Sequence, residues 1–121
     1  MNDTSLLMLR RMLDTATLRH KVIANNMANV NTPGYQRRVV QFDEQLAKAI
    51  AAGDAKGIAA SRLEVVKSDD PALRPDGNNV SLERELVDLM RNSLLHNTCT
   101  QLIATRLASY RAAITGDTRA S

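Results

Sequence analysis

His20, His96 and Cys99 are of the types that bind metals, and pairing the segments that carry them in opposite directions would bring all three to a similar level. No carboxylate is placed to complete such a set. Both histidines fall on helical seams, where an imidazole packs against a neighbouring helix. Cys99 lacks a nucleophile's local signature and reads as a small buried thiol. It is the sole cysteine, so no internal disulfide is available. The five glycines are dispersed, which removes a phosphate-cradling loop, and Asp69, Asp70 and Asp76 lack the spacing of a calcium loop. The expectation is therefore no catalytic residue, no metal, no cofactor and no small-molecule substrate.

A different chemistry, recognition through amides, is suggested by Asn25, Asn26, Asn29 and Asn31, followed at once by Thr32, Pro33, Gly34 and Tyr35. Asparagines near a helix end compete with the backbone for hydrogen bonds, which accounts for one or two of them. Four, with Asn25 and Asn29 one turn apart on one face, suggest a ladder of amide contacts to another helix. Thr32 is driven towards an extended conformation by the proline after it. Pro33-Gly34 suits the centre of a type II turn, since proline fixes the first torsion and glycine accepts the positive one.

The elements that position this stretch are two long helices. Over residues 4–31 a seam recurs at Leu6, Leu9, Leu13, Ala16, Ile23, Met27 and Val30, with His20 in the gap, in steps of three and four. A second helix spans 81–115, from Ser81 as N-cap to Gly116 as stop, with Glu83, Glu85 and Asp88 near its start. Its stripe reads Leu82, Leu86, Leu89, Ser93, His96, Thr100, Ile103, Leu107, Tyr110 and Ile114, beside a second stripe of Leu95, Cys99 and Leu102. So broad an apolar surface belongs to an arm that touches more than one neighbour. Residues 32–80 read as a turn and variable middle: a short helix at 42–53, a flexible link from Gly53 to Gly57, a short strand within 61–68, and a loop at 69–79. The predicted fold is mainly α, a single domain over 1–121 whose terminal helices pair as an antiparallel coiled-coil hairpin.

Composition points to partners. With no Trp, one Phe and two Tyr, the chain has few large anchors for a core, and burial against other chains is expected. Of the net charge of +3, residues 1–38 hold six basic and two acidic side chains. That arm reads as a solvated helix face rather than a nucleic-acid surface, and no nucleic acid is expected as a partner. A basic nucleic-acid-binding module is the alternative from another class, and it would bind less tightly as salt rises. No apolar run approaches the roughly 18 residues of a membrane span. The start MNDTSLLMLRRML lacks the order of a signal peptide, so work outside the cytoplasm would need another export route.

ANNMANVNTPGY, residues 24–35, resembles the signature A-x-N-[LIM]-A-N-[VA]-[ND]-T-P-G-[YF] of the bacterial flagellar axial proteins of rod and hook. Residues 74–116, where Asp76-Gly77-Asn78-Asn79-Val80 leads into the long helix, are similar to the ends of proximal members of the basal-body rod family, and the short length agrees. Another short rod subunit is the nearer alternative. The resemblance implies a structural subunit that self-assembles through its terminal helices into a drive shaft around an export channel. It implies other rod subunits, further copies of itself, the membrane-ring and export-gate base, and the flagellar type III export apparatus as partners. It also implies a periplasmic rod location reached without a cleaved leader. Asn25, Asn26, Asn29 and Asn31 would hold register within or between subunits, and the turn from Thr32 to Tyr35 would fix where the core helix stops. Phe42 and Leu46 match a Phe-x-x-x-apolar element expected to contact the export gate.

Overall fold

The computed structural model describes residues 3–42 and 44–116. In chain order the elements are α1 (Asp3–Ala28), β1 (Arg38–Phe42), α2 (Glu44–Ala52), α3 (Ala55–Ala60), β2 (Leu63–Lys67) and α4 (Leu82–Thr115). The chain is mainly helical, with long N- and C-terminal helices and one small sheet. At 34 residues, α4 is about 50 Å long. It starts where the Ser81 hydroxyl accepts from the Arg84 N–H, with Glu83 and Glu85 favourably placed in the first turn. Gly116, at φ 71°, ends it in the left-handed conformation that glycine adopts without penalty.

The end of α1 is built by its own amides. The Asn29 backbone N–H donates to the carbonyl of Asn25 (3.1 Å), and its side-chain Nδ2 donates to the same oxygen (2.8 Å). The Asn29 Oδ1 then accepts from the Thr32 hydroxyl, and the Tyr35 N–H closes a turn onto the Thr32 carbonyl around Pro33 and Gly34. Gly34 has φ 72°, the positive torsion that a type II turn needs at its third position. The amide ladder of Asn25 and Asn29 thus runs within α1 and not across to another helix.

Helix α1 lies along α4 and also touches β1 and α3. Fully buried apolar side chains are few: Ala16, Val22, Ile23, Val80 and Cys99, and a second cluster of Leu46, Ala49 and Ile58 under Leu7 and Met8. Arg11 reaches from α1 to the carbonyl and hydroxyl of Ser61, tying the helix to the start of β2. None of the described helices is long and apolar enough to cross a membrane.

Three expectations need correction. Two strands form where one was read: Arg38–Phe42 pairs antiparallel with Leu63–Lys67, Arg38 opposite Lys67 and Phe42 opposite Leu63. Consequently Phe42 ends a strand and α2 starts at Glu44. The supposed link from Gly53 to Gly57 contains the start of α3, capped by Asp54, whose carboxylate accepts from the Lys56 N–H. There Gly57 serves contact: a Cβ on it would stand 2.7 Å from that of Ala49. Finally, the α4 stripe is turned. Leu82, Leu86, Leu107 and Ile114 are exposed, Leu89, Ile103 and Tyr110 half-buried, and the deeply buried positions are Glu85, Asn92 and Cys99, seven residues apart.

Candidate functional site

The asparagine-rich end of α1 and the stretch leading into α4 close on one another as a buried polar junction. Asn26, wholly buried, uses every hydrogen-bonding position of its amide. Its Nδ2 donates to the Arg38 carbonyl (2.9 Å) and to Glu85 Oε2 (3.2 Å). Its Oδ1 accepts from the Arg38 N–H (2.9 Å) and the Tyr35 hydroxyl (3.3 Å). One side chain therefore fixes the last turns of α1, the entry to β1 and the first turn of α4.

Two asparagines answer from the other side. Asn78, also fully buried, donates through Nδ2 to the carbonyls of Asn29, Val30 and Thr32, in the turns that follow the end of α1. Arg74 adds donors to the carbonyls of Val30 and Val80. Asn79 accepts from the Arg37 N–H (2.5 Å) and donates to Gln36 Oε1 and the Asp70 carbonyl. Two tight turns make the approach possible: Gly77, at φ 90°, lies so close that a Cβ on it would be 3.6 Å from the Gly34 Cα.

Charge completes the junction. Arg37 is buried, its Nε on Glu85 Oε1 at 2.9 Å and its other nitrogens on Asp70 (3.0 Å) and Asp88 (3.5 Å). Burial pulls its pKa down, but Glu85 and then Asp70 more than offset this, so the guanidinium is held above its usual value. Asp70 also takes Arg84 at 2.9 Å. Its carboxyl sits below the usual range: hydrogen bonding to Ser68 lowers it most, desolvation opposes this, and Arg37 and Arg84 lower it further. Buried pairs of this kind add less to stability than to the choice of one arrangement.

The remaining residues singled out in the sequence are dispersed around this centre. Asn25, Asn31, Thr32, Pro33 and Gly34 are exposed, and Tyr35 half-buried. On α1, Leu6, Leu9, Leu13 and Met27 are half-buried and Ile23 buried; on α4, Leu89 and Ile103 are half-buried. Leu46 is 4% exposed in the second cluster, while Phe42 lies at the surface with the Arg19 guanidinium 5.5 Å from its ring centroid. Asp43, inside the Phe42–Leu46 element, lies outside the described residues. His20 and His96 line one groove of about 310 Å³ between α1 and α4, but no group of three potential metal ligands forms among the described residues.

The sequence assigns Glu85 only to the dipole at the start of α4 and Asn78 and Asn79 only to the string before it, and it singles out neither Arg37 nor Asn92 for a contact. The Asp76–Val80 string was the available signal, since its glycine and two asparagines have the types found opposite.

The two terminal arms are thus interlocked through this junction. The sequence profile described as "Flagella basal body rod protein" matches residues 13–36, which include the whole of the signature at 24–35. Three relatives extend the likeness along the chain, each a flagellar basal body rod protein FlgB. That of Cereibacter sphaeroides is 30% identical, over 82% of this chain and 84% of its own length. That of Borrelia hermsii is 29% identical over 86% and 90%. That of Bacillus subtilis (strain 168) is 26% identical over 89% and 91%. The chain belongs to the flagellar basal body rod protein family, and it is a structural subunit of the flagellar basal body rod.

Proposed function

We propose that this subunit builds the proximal rod by pairing α1 with α4 as an antiparallel coiled-coil hairpin, and by laying the outer face of α4 on neighbouring rod subunits. The rod so formed would transmit torque and enclose the export channel. One observation carries the reading: Leu86, Val87, Met90 and Leu94 follow one another at helical spacing on α4 and are 43%, 47%, 72% and 70% exposed. A contiguous exposed apolar row of this kind marks a face that another surface covers. In this reading Asn26 and the turn around Gly34 hold the register of the hairpin. A buried polar contact selects one register at some cost in stability. The work is mechanical, with no catalytic step.

Partners follow from the same reading: copies of the chain, other rod subunits, the membrane-ring and export-gate base, and the type III export apparatus that delivers the chain to the periplasmic rod without cleaving a leader. Leu46 is buried in the folded subunit, so a gate contact through Phe42 and Leu46 belongs to the unfolded chain in transit.

The test is composition of purified basal bodies from the strain that makes the chain, with swimming of a deletion strain. We expect the chain in the rod fraction and loss of both rod completion and motility on deletion. Normal swimming with the chain absent from basal bodies would refute the assignment.

A further inference from the structure

We propose that successive copies of the chain dock by a knob-into-groove contact, the loop tip at Leu73 of one copy entering the arginine-rimmed groove of the next. This rests on the rod reading and adds the surfaces by which one copy meets another.

The groove, about 290 Å³, opens between α1, β1 and α4. Its apolar walls include Val22, Ile23, Val39 and Leu95, and Arg19, Arg38 and Arg91 stand around it. Arg37 and Asp88 also line it, 3.5 Å apart, and Arg37 is already engaged by Glu85 and Asp70. Among the described residues those three arginines have no carboxylate within ion-pair distance, so the groove sets three guanidinium groups against the one carboxylate of Asp88 around an apolar floor. Asn92 lies in the same lining, 6% exposed, its Nδ2 spent on the Ala16 carbonyl and its Oδ1 without a partner. A buried acceptor left in this state costs free energy until a donor reaches it.

The complementary shape is on the same chain. The loop 69–77 lifts Leu73 to 61% exposure between prolines 71 and 75, with the exposed carboxylates of Asp69 and Asp76 on either side and no basic partner for them among the described residues. The tip is held out firmly: the Leu73 N–H donates to the Asn78 carbonyl, and the Asn78 N–H to Asp76 Oδ1. An isobutyl group fits the apolar floor, and two carboxylates face three guanidinium groups. The loop also carries backbone N–H groups of the kind Asn92 Oδ1 lacks.

Knob and groove are separate surfaces of one subunit, and they meet only at the base of the loop, where Asp70 pairs with Arg37 of the groove lining at 3.0 Å. Leu73 is not among the residues lining its own groove. Two unlike surfaces on one molecule give a head-to-tail contact, which repeats from copy to copy as a ring or a helix instead of closing into a two-fold dimer.

The experiment uses the full chain in a Cys99→Ala background, with Leu73→Cys and Arg91→Cys made as separate variants and co-expressed. Isolated basal bodies are treated with a short bismaleimide. A cross-linked dimer only when both variants are present is expected. Reversing Asp69 and Asp76 to lysine should lower rod incorporation about fivefold, equivalent to about 1 kcal/mol, and adding Arg38→Glu with Arg91→Glu should restore it. Chain present in basal bodies with no mixed dimer, or a dimer from either variant alone, would overturn the knob-into-groove contact and leave the rod reading intact. Chain missing from basal bodies would remove both.

Discussion

Asn26 shows how much one side chain can decide. It is wholly buried and holds four partners drawn from three elements, so truncating it strands the Arg38 N–H and carbonyl, the Tyr35 hydroxyl and one oxygen of Glu85. A buried polar group without a partner costs about 1–3 kcal/mol, and water can reach some of these four. Asn26→Ala should therefore destabilise the fold by roughly 2–4 kcal/mol. Osmolyte-driven folding of the purified chain, followed by circular dichroism, measures this. A change below about 1 kcal/mol would mean that the junction tolerates hydration and does not hold the elbow. Four asparagines within residues 25–31 make this region conspicuous in the sequence. Which of them points inward was not legible, because Glu85 and Arg38 are brought to Asn26 only by the fold.

At the scale of elements, α4 is where sequence and structure diverge most. Its apolar period was visible, and its limits fell where Ser81 and Gly116 place them. The facing was not, because periodicity reports that an apolar row exists and not which body covers it. Glu85 and Asn92 occupy the covered row here, each engaged by a partner from elsewhere in the chain. The middle segment differs from its sequence expectation for related reasons. β1 carries arginine and glutamine and becomes a strand only by pairing with β2, and Gly57 marks a close helix contact that looks like slack in a string of letters. Asn92 supplies the prediction at this level. Asn92→Leu removes an orphaned acceptor and adds apolar area, so the isolated chain should become more helical and more resistant to heat. It also removes the polar mark that sets α1 against α4, so rod incorporation should fall. A variant that gains stability and assembles normally would show that Asn92 has no part in register.

For the whole molecule, the balance between covered and uncovered surface is the telling quantity. Few apolar side chains are fully buried, while Met90 and Leu94 stand about 70% exposed. Such a subunit is expected to be only marginally stable alone and to complete its burial in the company of others. Met90→Lys tests this without disturbing the fold, because the new ammonium would lie in water in the free subunit; its stability should change by less than about 0.5 kcal/mol. In the assembled rod the charge would be trapped between helices, and swimming should be lost. Normal motility of Met90→Lys cells would show that this face of α4 remains open to solvent in the rod.

The contact between Asn26 and Glu85 joins residues 59 positions apart. A chain delivered from one end has its first asparagines long before their partners, and until the second arm follows those amides can only bind water. Local signals can start α1, but the elbow has no stable form without the far half of the polypeptide, so loop closure governs when the shape is set. The distance between the two halves of the junction thus works as a clock: a partial chain stays pliable, and stiffness comes with the arrival of the second helix.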